Sequence, residues 1–103
     1  MKRMLLVVLM VGLLALTGLA AKTIGFSVST LANPFFVTMK EGGEAKASEL
    51  GLKLIVLDAQ DKPETQFAQI QDLITRRVDV LIINPVDSDA IVSAVLEANA
   101  AGI

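Results

Sequence analysis

The 103-residue chain contains neither cysteine nor histidine. Without cysteine there is no disulfide framework and no lipid-bearing cysteine behind an export leader. Without histidine there is no Ser-His-Asp arrangement, and no acidic cluster has metal-ligand spacing. Phosphate loops are missing too: neither G-x-G-x-x-G nor G-x-x-x-x-G-K-[ST] occurs, so no turn is built to wrap a pyrophosphate. Positive charge is sparse. Nine basic residues face eleven acidic ones, and setting aside Lys2 and Arg3 leaves seven, a net charge of −4. No basic cluster remains, which argues against nucleic acid and anionic membrane surfaces as partners. Nothing here calls for a cofactor or a catalysed reaction.

What is present begins with a leader. Met1-Lys2-Arg3 is basic, Met4 to Leu16 is an unbroken apolar run, and Gly18-Leu19-Ala20 offers a small-x-small cleavage site. Cleavage is expected after Ala20 or Ala21. A spanning helix needs ~20 apolar residues, so a cleaved signal peptide over 1–21 is expected, with no membrane anchor afterwards. The leader also inflates the 53% hydrophobic content.

Residues 22–103 read as a βα repeat. Thr23 to Val28 is a short, apolar, β-branched-rich strand. Phe36, Met39, Gly43, Ala47 and Leu50 recur at spacings of three and four, the stripe of a helix over Pro34–Leu50. Gly51 suits its C-terminal cap, and Gly43 suits close approach to a sheet. Lys40, Glu41, Glu44, Lys46 and Glu49 read as a solvated face. Lys53 to Asp58 is a second strand, with Leu54 to Leu57 expected to be buried on both sides as in a parallel sheet. Asp58, Gln60 and Asp61 read as turn and cap, and Asp61-x-x-Glu64 fits a capping box. Phe67, Ile70, Leu73 and Ile74 face inward on a second helix that Arg76 and Arg77 close against its dipole. Val78 to Ile83 is a third strand. Asp87 or Ser88 caps a third helix over Asp89–Ala101, and Gly102 ends it.

The informative stretch is Ser29-Thr30-Leu31-Ala32-Asn33-Pro34-Phe35-Phe36, the turn between the first strand and first helix. In open α/β sheets ligands bind at the carboxyl ends of strands, where strand order reverses. With the first strand between the second and third, that point lies between this turn and Asn84–Ser88. Asn33 precedes Pro34 and is an ordinary N-cap, and a phenylalanine starting a helix is ordinarily core. Adjacency separates the two rings: neighbouring helical residues point about 100° apart. Phe36 belongs to the stripe, so Phe35 lies off it. An amide that donates and accepts, beside phenyl faces, suits a hydroxyl-rich ligand with apolar C–H surfaces. Asn-Pro at 84–85 is ordinary turn chemistry that backs or walls the site.

The motifs S-T-L-A-N-P-F-F, L-G-L-K-L-I-V-L-D-A-Q, Q-D-L-I-T-R-R and I-N-P-V-D-S-D-A resemble the ribose-binding proteins of bacterial ABC sugar importers over essentially all of 22–103. The resemblance implies a type I periplasmic-binding-protein lobe, an open parallel sheet with helices on both faces. It also implies a pentose ligand such as ribose, a membrane permease as partner, and no enzymatic activity. Asn33 would hydrogen-bond the sugar, and Phe35 and Phe36 would pack on its ring. The family continues with a fourth strand carrying Asp-Arg and then a second lobe, so the chain is expected to be a fragment holding three βα units. Sugar-responsive repressors share the lobe but need a helix-turn-helix where this chain has a leader. A receiver needs clustered acids after its first strand, and a flavodoxin-like protein needs a phosphate loop; Ser29–Phe36 has neither.

Overall fold

The structure, a computed structural model, describes residues 20–103. The expected signal peptide falls outside them except for Ala20 and Ala21, which are exposed. Six elements follow: β1 (Thr23–Val28), α1 (Pro34–Leu50), β2 (Lys53–Asp58), α2 (Pro63–Thr75), β3 (Val80–Ile83) and α3 (Ile91–Ala100). The strands form one parallel sheet in the order β2-β1-β3, with Ile24 opposite both Leu54 and Val80. Strand order therefore reverses about β1, and the β1 and β3 exits flank the reversal.

Helices lie on both faces. α1 packs on β2, whereas α2 packs on β1 and on α3. On the α2 face, Gly25 makes the close approach. A Cβ there would stand 2.9 Å from Leu73 Cδ1 and 3.0 Å from Leu81 Cδ2. Glycine lets α2 settle directly on the central strand. At Gly43 the approach is looser, 3.4 Å to Leu54 Cδ2. Phe26, Val28, Ile70, Leu73, Ala94 and Ala98 are the buried core.

Several expectations change. β2 is only half-buried along Leu54–Leu57, because it is an edge strand and one helix alone covers it. Of the α1 stripe only Ala47 is buried. Met39 and Leu50 are exposed, whereas Gly43 between them approaches Leu54 of β2. The Asp61–Glu64 capping box does not form: Gln60 and Asp61 both take positive φ, Pro63 occupies the first turn, and Lys62 becomes the N-cap without a side-chain bond. β3 begins at Val80, although Asp79 N–H already donates to Thr23 O at 2.8 Å. α3 begins at Ile91 after a turn in which Asp87 Oδ1 accepts from the amides of Asp89 and Ala90.

All three helices end alike. The residue after each last turn is left-handed: Gly51 at φ 69°, Arg77 at 57° and Gly102 at 83°. The amides of Leu52, Val78 and Ile103 reach back to Ala47, Leu73 and Ala98, satisfying carbonyls that the helix leaves open. Arg76 pairs with Asp72 at 2.8 Å, one turn earlier.

Candidate functional site

β1 ends in buried backbone, and Ser29 and Thr30 stay buried beyond it. From Leu31 the chain turns outward, and it has left the sheet ladder. Apart from Asp61 N–H, which donates to Ser29 O at 2.8 Å, side chains hold it. Asn84 Oδ1 accepts from Ser29 N at 3.1 Å and from Ser29 Oγ at 2.6 Å. Asp58 Oδ1 accepts from Leu31 N at 3.2 Å and from Gln60 N at 2.8 Å. Thr30 Oγ1 accepts from Ala32 N at 3.1 Å. The turn is thus tied to both neighbouring strands.

Asn33 caps α1. Its backbone is extended, and its Oδ1 accepts from Phe35 N at 3.0 Å, while Phe36 N–H donates to its carbonyl. Capping occupies the oxygen but not the amide nitrogen, whose two hydrogens remain for an acceptor such as a hydroxyl. The cap and the candidate ligand group are therefore one side chain with two ends. Phe35 is 66% exposed; Phe36, the next residue, is half-buried. Their rings meet edge to face, centroids 5.3 Å apart and planes at 81°. That arrangement is a favoured one for an aromatic pair.

Behind the wall lies a residue that the apolar stripe of α2 conceals. Gln66 is 1% exposed. Its Nε2 donates to Ser27 Oγ at 3.1 Å and to Asn84 O at 2.9 Å, and its Oε1 accepts from Val86 N at 2.8 Å. Its sequence signal was position: 66 shares a face with 70 and 73, so a polar group there points inward and must be bonded. Asp58, Asn84 and Asp87 all spend side-chain oxygens on backbone amides. Exposed at the β1 exit are Ala32, Asn33, Pro34 and Phe35, of which Asn33 carries the polar group and Phe35 the ring.

A cavity of about 480 Å³ opens at the opposite end of the sheet, lined by Ile74, Arg77, Val78, Asp79 and residues 101–103. Asp79 there accepts from Thr23 N and pairs with Lys22, so its charge is already engaged. No group of three or more potential metal ligands occurs among the described residues, and no helix among them is long and apolar enough to cross a membrane.

Comparison with known proteins agrees with this fold. A family model described as a periplasmic binding protein domain matches residues 24–103. The ribose import binding protein of Bacillus subtilis is 53% identical over 81 residues, covering 79% of this chain and 27% of that protein. An ABC transporter solute binding protein of Mycobacterium smegmatis, solved with glycerol, superposes with TM-score 0.78 at 40% identity, covering 82% of this chain and 29% of that one. A periplasmic solute binding protein of Actinobacillus succinogenes, solved with D-allose, gives TM-score 0.76 at 33% identity over 80% and 29% of the two chains. The chain thus spans less than a third of the length of these relatives. By sequence match, sheet order and superposition, the chain belongs to the periplasmic binding protein domain family.

Proposed function

We propose that residues 22–103 form one wall of a sugar site in the soluble binding component of an ABC importer, with a pentose, ribose, as ligand. The observation that carries this is Phe35, a phenyl ring 66% exposed yet set edge to face on Phe36 beside the free amide hydrogens of Asn33. An exposed ring beside a donating amide suits the C–H face of a sugar, an apolar surface of matching size. Asn33 donates to a hydroxyl at the ring's edge, and Phe36 supports Phe35 from behind. Closure of a second lobe over this wall excludes water and completes the hydroxyl partners. The binding component then presents its closed form to a membrane permease in the periplasm and performs no chemistry. Similarity to a ribose import protein favours ribose, whereas the relative solved with D-allose makes a hexose the competing ligand.

One wall alone satisfies few of a pentose's hydroxyls, and each one desolvated without a partner costs ~1–3 kcal/mol. Residues 22–103 by themselves are therefore expected to bind ribose no tighter than ~1 mM. Joined to the remaining strands and second lobe of the B. subtilis relative, they are expected to bind ribose at micromolar level or tighter, and D-allose more weakly. Calorimetric titration of both forms with both sugars tests this. Failure of the two-lobed protein to bind ribose contradicts the proposal, and tighter binding of D-allose reassigns the ligand.

A further inference from the structure

The turn that carries Asn33 and Phe35 is held at its root by one backbone bond, Asp61 N–H to Ser29 O at 2.8 Å, and beyond it by side chains, and its direction decides where both side chains stand. Ser29 is its root and is 7% exposed. Both its amide and its hydroxyl donate to one atom, Asn84 Oδ1, at 3.1 and 2.6 Å. Two donors converging on it identify that atom as the oxygen of the amide. Asn84 is itself held at both of its backbone groups. Its amide N–H donates to Ser27 O at 2.9 Å, its carbonyl accepts from buried Gln66, and Gln66 also fastens Val86 two residues on. A continuous chain of bonds thus runs from the α2 interior through Asn84 to Ser29.

We propose that Asn84 is a positioning residue for the sugar-binding wall: its side-chain oxygen sets the course of the turn from Ser29 to Asn33, and through it the stance of Asn33 and Phe35. The proposal rests on the sugar reading above for its functional meaning, but the clamp is measurable without sugar. Removing the oxygen leaves two donors of Ser29 where water scarcely reaches, and the turn must move to satisfy them. Asp58 grips the turn two residues later, at Leu31, and Asp61 N–H holds the Ser29 carbonyl at 2.8 Å, but neither satisfies the two Ser29 donors that Asn84 takes.

The test uses the full chain, Asn84→Ala, and Asn84→Asp, whose carboxylate offers an oxygen to the same two donors. Backbone order parameters from ¹⁵N relaxation are read along residues 29–36, with Phe26 and Ile70 as references. In Asn84→Ala the turn is expected to fall below ~0.6 while the references stay near ~0.85, and Asn84→Asp is expected to restore it. Unchanged order at 31–35, or equal loss at Phe26 and Ile70, overturns the proposal. Should Asn84→Ala not fold, Ser29→Ala removes the hydroxyl bond alone and is expected to loosen the same residues to a smaller degree; an unaltered turn again overturns it. In the two-lobed protein, ribose affinity is expected to fall about tenfold or more in Asn84→Ala and to return in Asn84→Asp. Ribose bound equally by wild type and Asn84→Ala removes the clamp and leaves the sugar reading. Wild type that binds no ribose, with order parameters as expected, removes the sugar reading and leaves the clamp.

Discussion

Two regions of this molecule expose apolar side chains, and they do so differently. At the β1 exit, Phe35 stands out of a turn whose amides are tied to Asn84, Asp58, Thr30 and Asn33. Along β3, Val80 and Ile82 are 51% and 49% exposed on the face that carries α1, with no helix above them and no strand beyond among the described residues. The first is an apolar group on a rigid polar frame, the form a small-molecule contact takes. The second is bare sheet, and nearby Val92, Val95 and Leu96 of α3 are exposed as well. Bare sheet of that kind pairs with whatever strand is offered. Under the proposed reading, polar bracing rather than exposure separates the sugar wall from the unpaired edge.

The comparison breaks most severely at the support common to both regions. Leu73 is fully buried beneath β1 and touches the space over Gly25. Leu73→Ala is expected to cost ~2–5 kcal/mol, seen as a lower denaturant midpoint, and to loosen both regions together. Gly25→Ala acts from the other side of that contact. Its Cβ would meet Leu73 and Leu81 at about van der Waals overlap, and overpacking of this kind costs ~1–3 kcal/mol, read by thermal melt.

Smaller changes sharpen the contrast. Arg77 holds a left-handed conformation that glycine adopts without strain, so Arg77→Gly is expected to gain ~0.5–1 kcal/mol while leaving the β1 turn unaltered. On the β3 flank, Val80→Lys with Ile82→Lys is expected to shift stability by no more than ~1 kcal/mol. Sedimentation velocity is expected to show the wild-type chain self-associating and the double variant remaining monomeric. Equal association of the two would mean that the β3 edge is not the sticky one.

Much of this was legible in the sequence, for local reasons. β1, α1 and β2 fall where residue pattern, Pro34 and Gly51 place them, because each boundary is set by residues within the element. The α2 start was misread because Asp61 looks like a cap, while Pro63 and two consecutive left-handed residues move the cap to Lys62. Burial of β2 was overstated because edge or centre depends on strand order and on how many helices cover each face. At the site, the separation of Phe35 from Phe36 followed from helical geometry. The bracing by Gln66 and Asn84 spans 18 to 55 residues of sequence, and no local pattern announces it. Gln66 and Gly25 were visible only as a polar residue and a glycine at positions where the pattern called for bulk.

The central claim is that Phe35 is held out for a ligand, whereas Phe36 supports the fold. In the two-lobed protein, Phe35→Ala and Phe36→Ala are compared by ribose calorimetry and thermal melts. Phe35→Ala is expected to weaken ribose binding by ~2 kcal/mol, roughly thirtyfold, with a stability change within ~0.5 kcal/mol. Phe36→Ala, half-buried under the same contact, is expected to lose ~1–3 kcal/mol of stability together with affinity. Ribose bound by Phe35→Ala as tightly as by wild type would contradict the account.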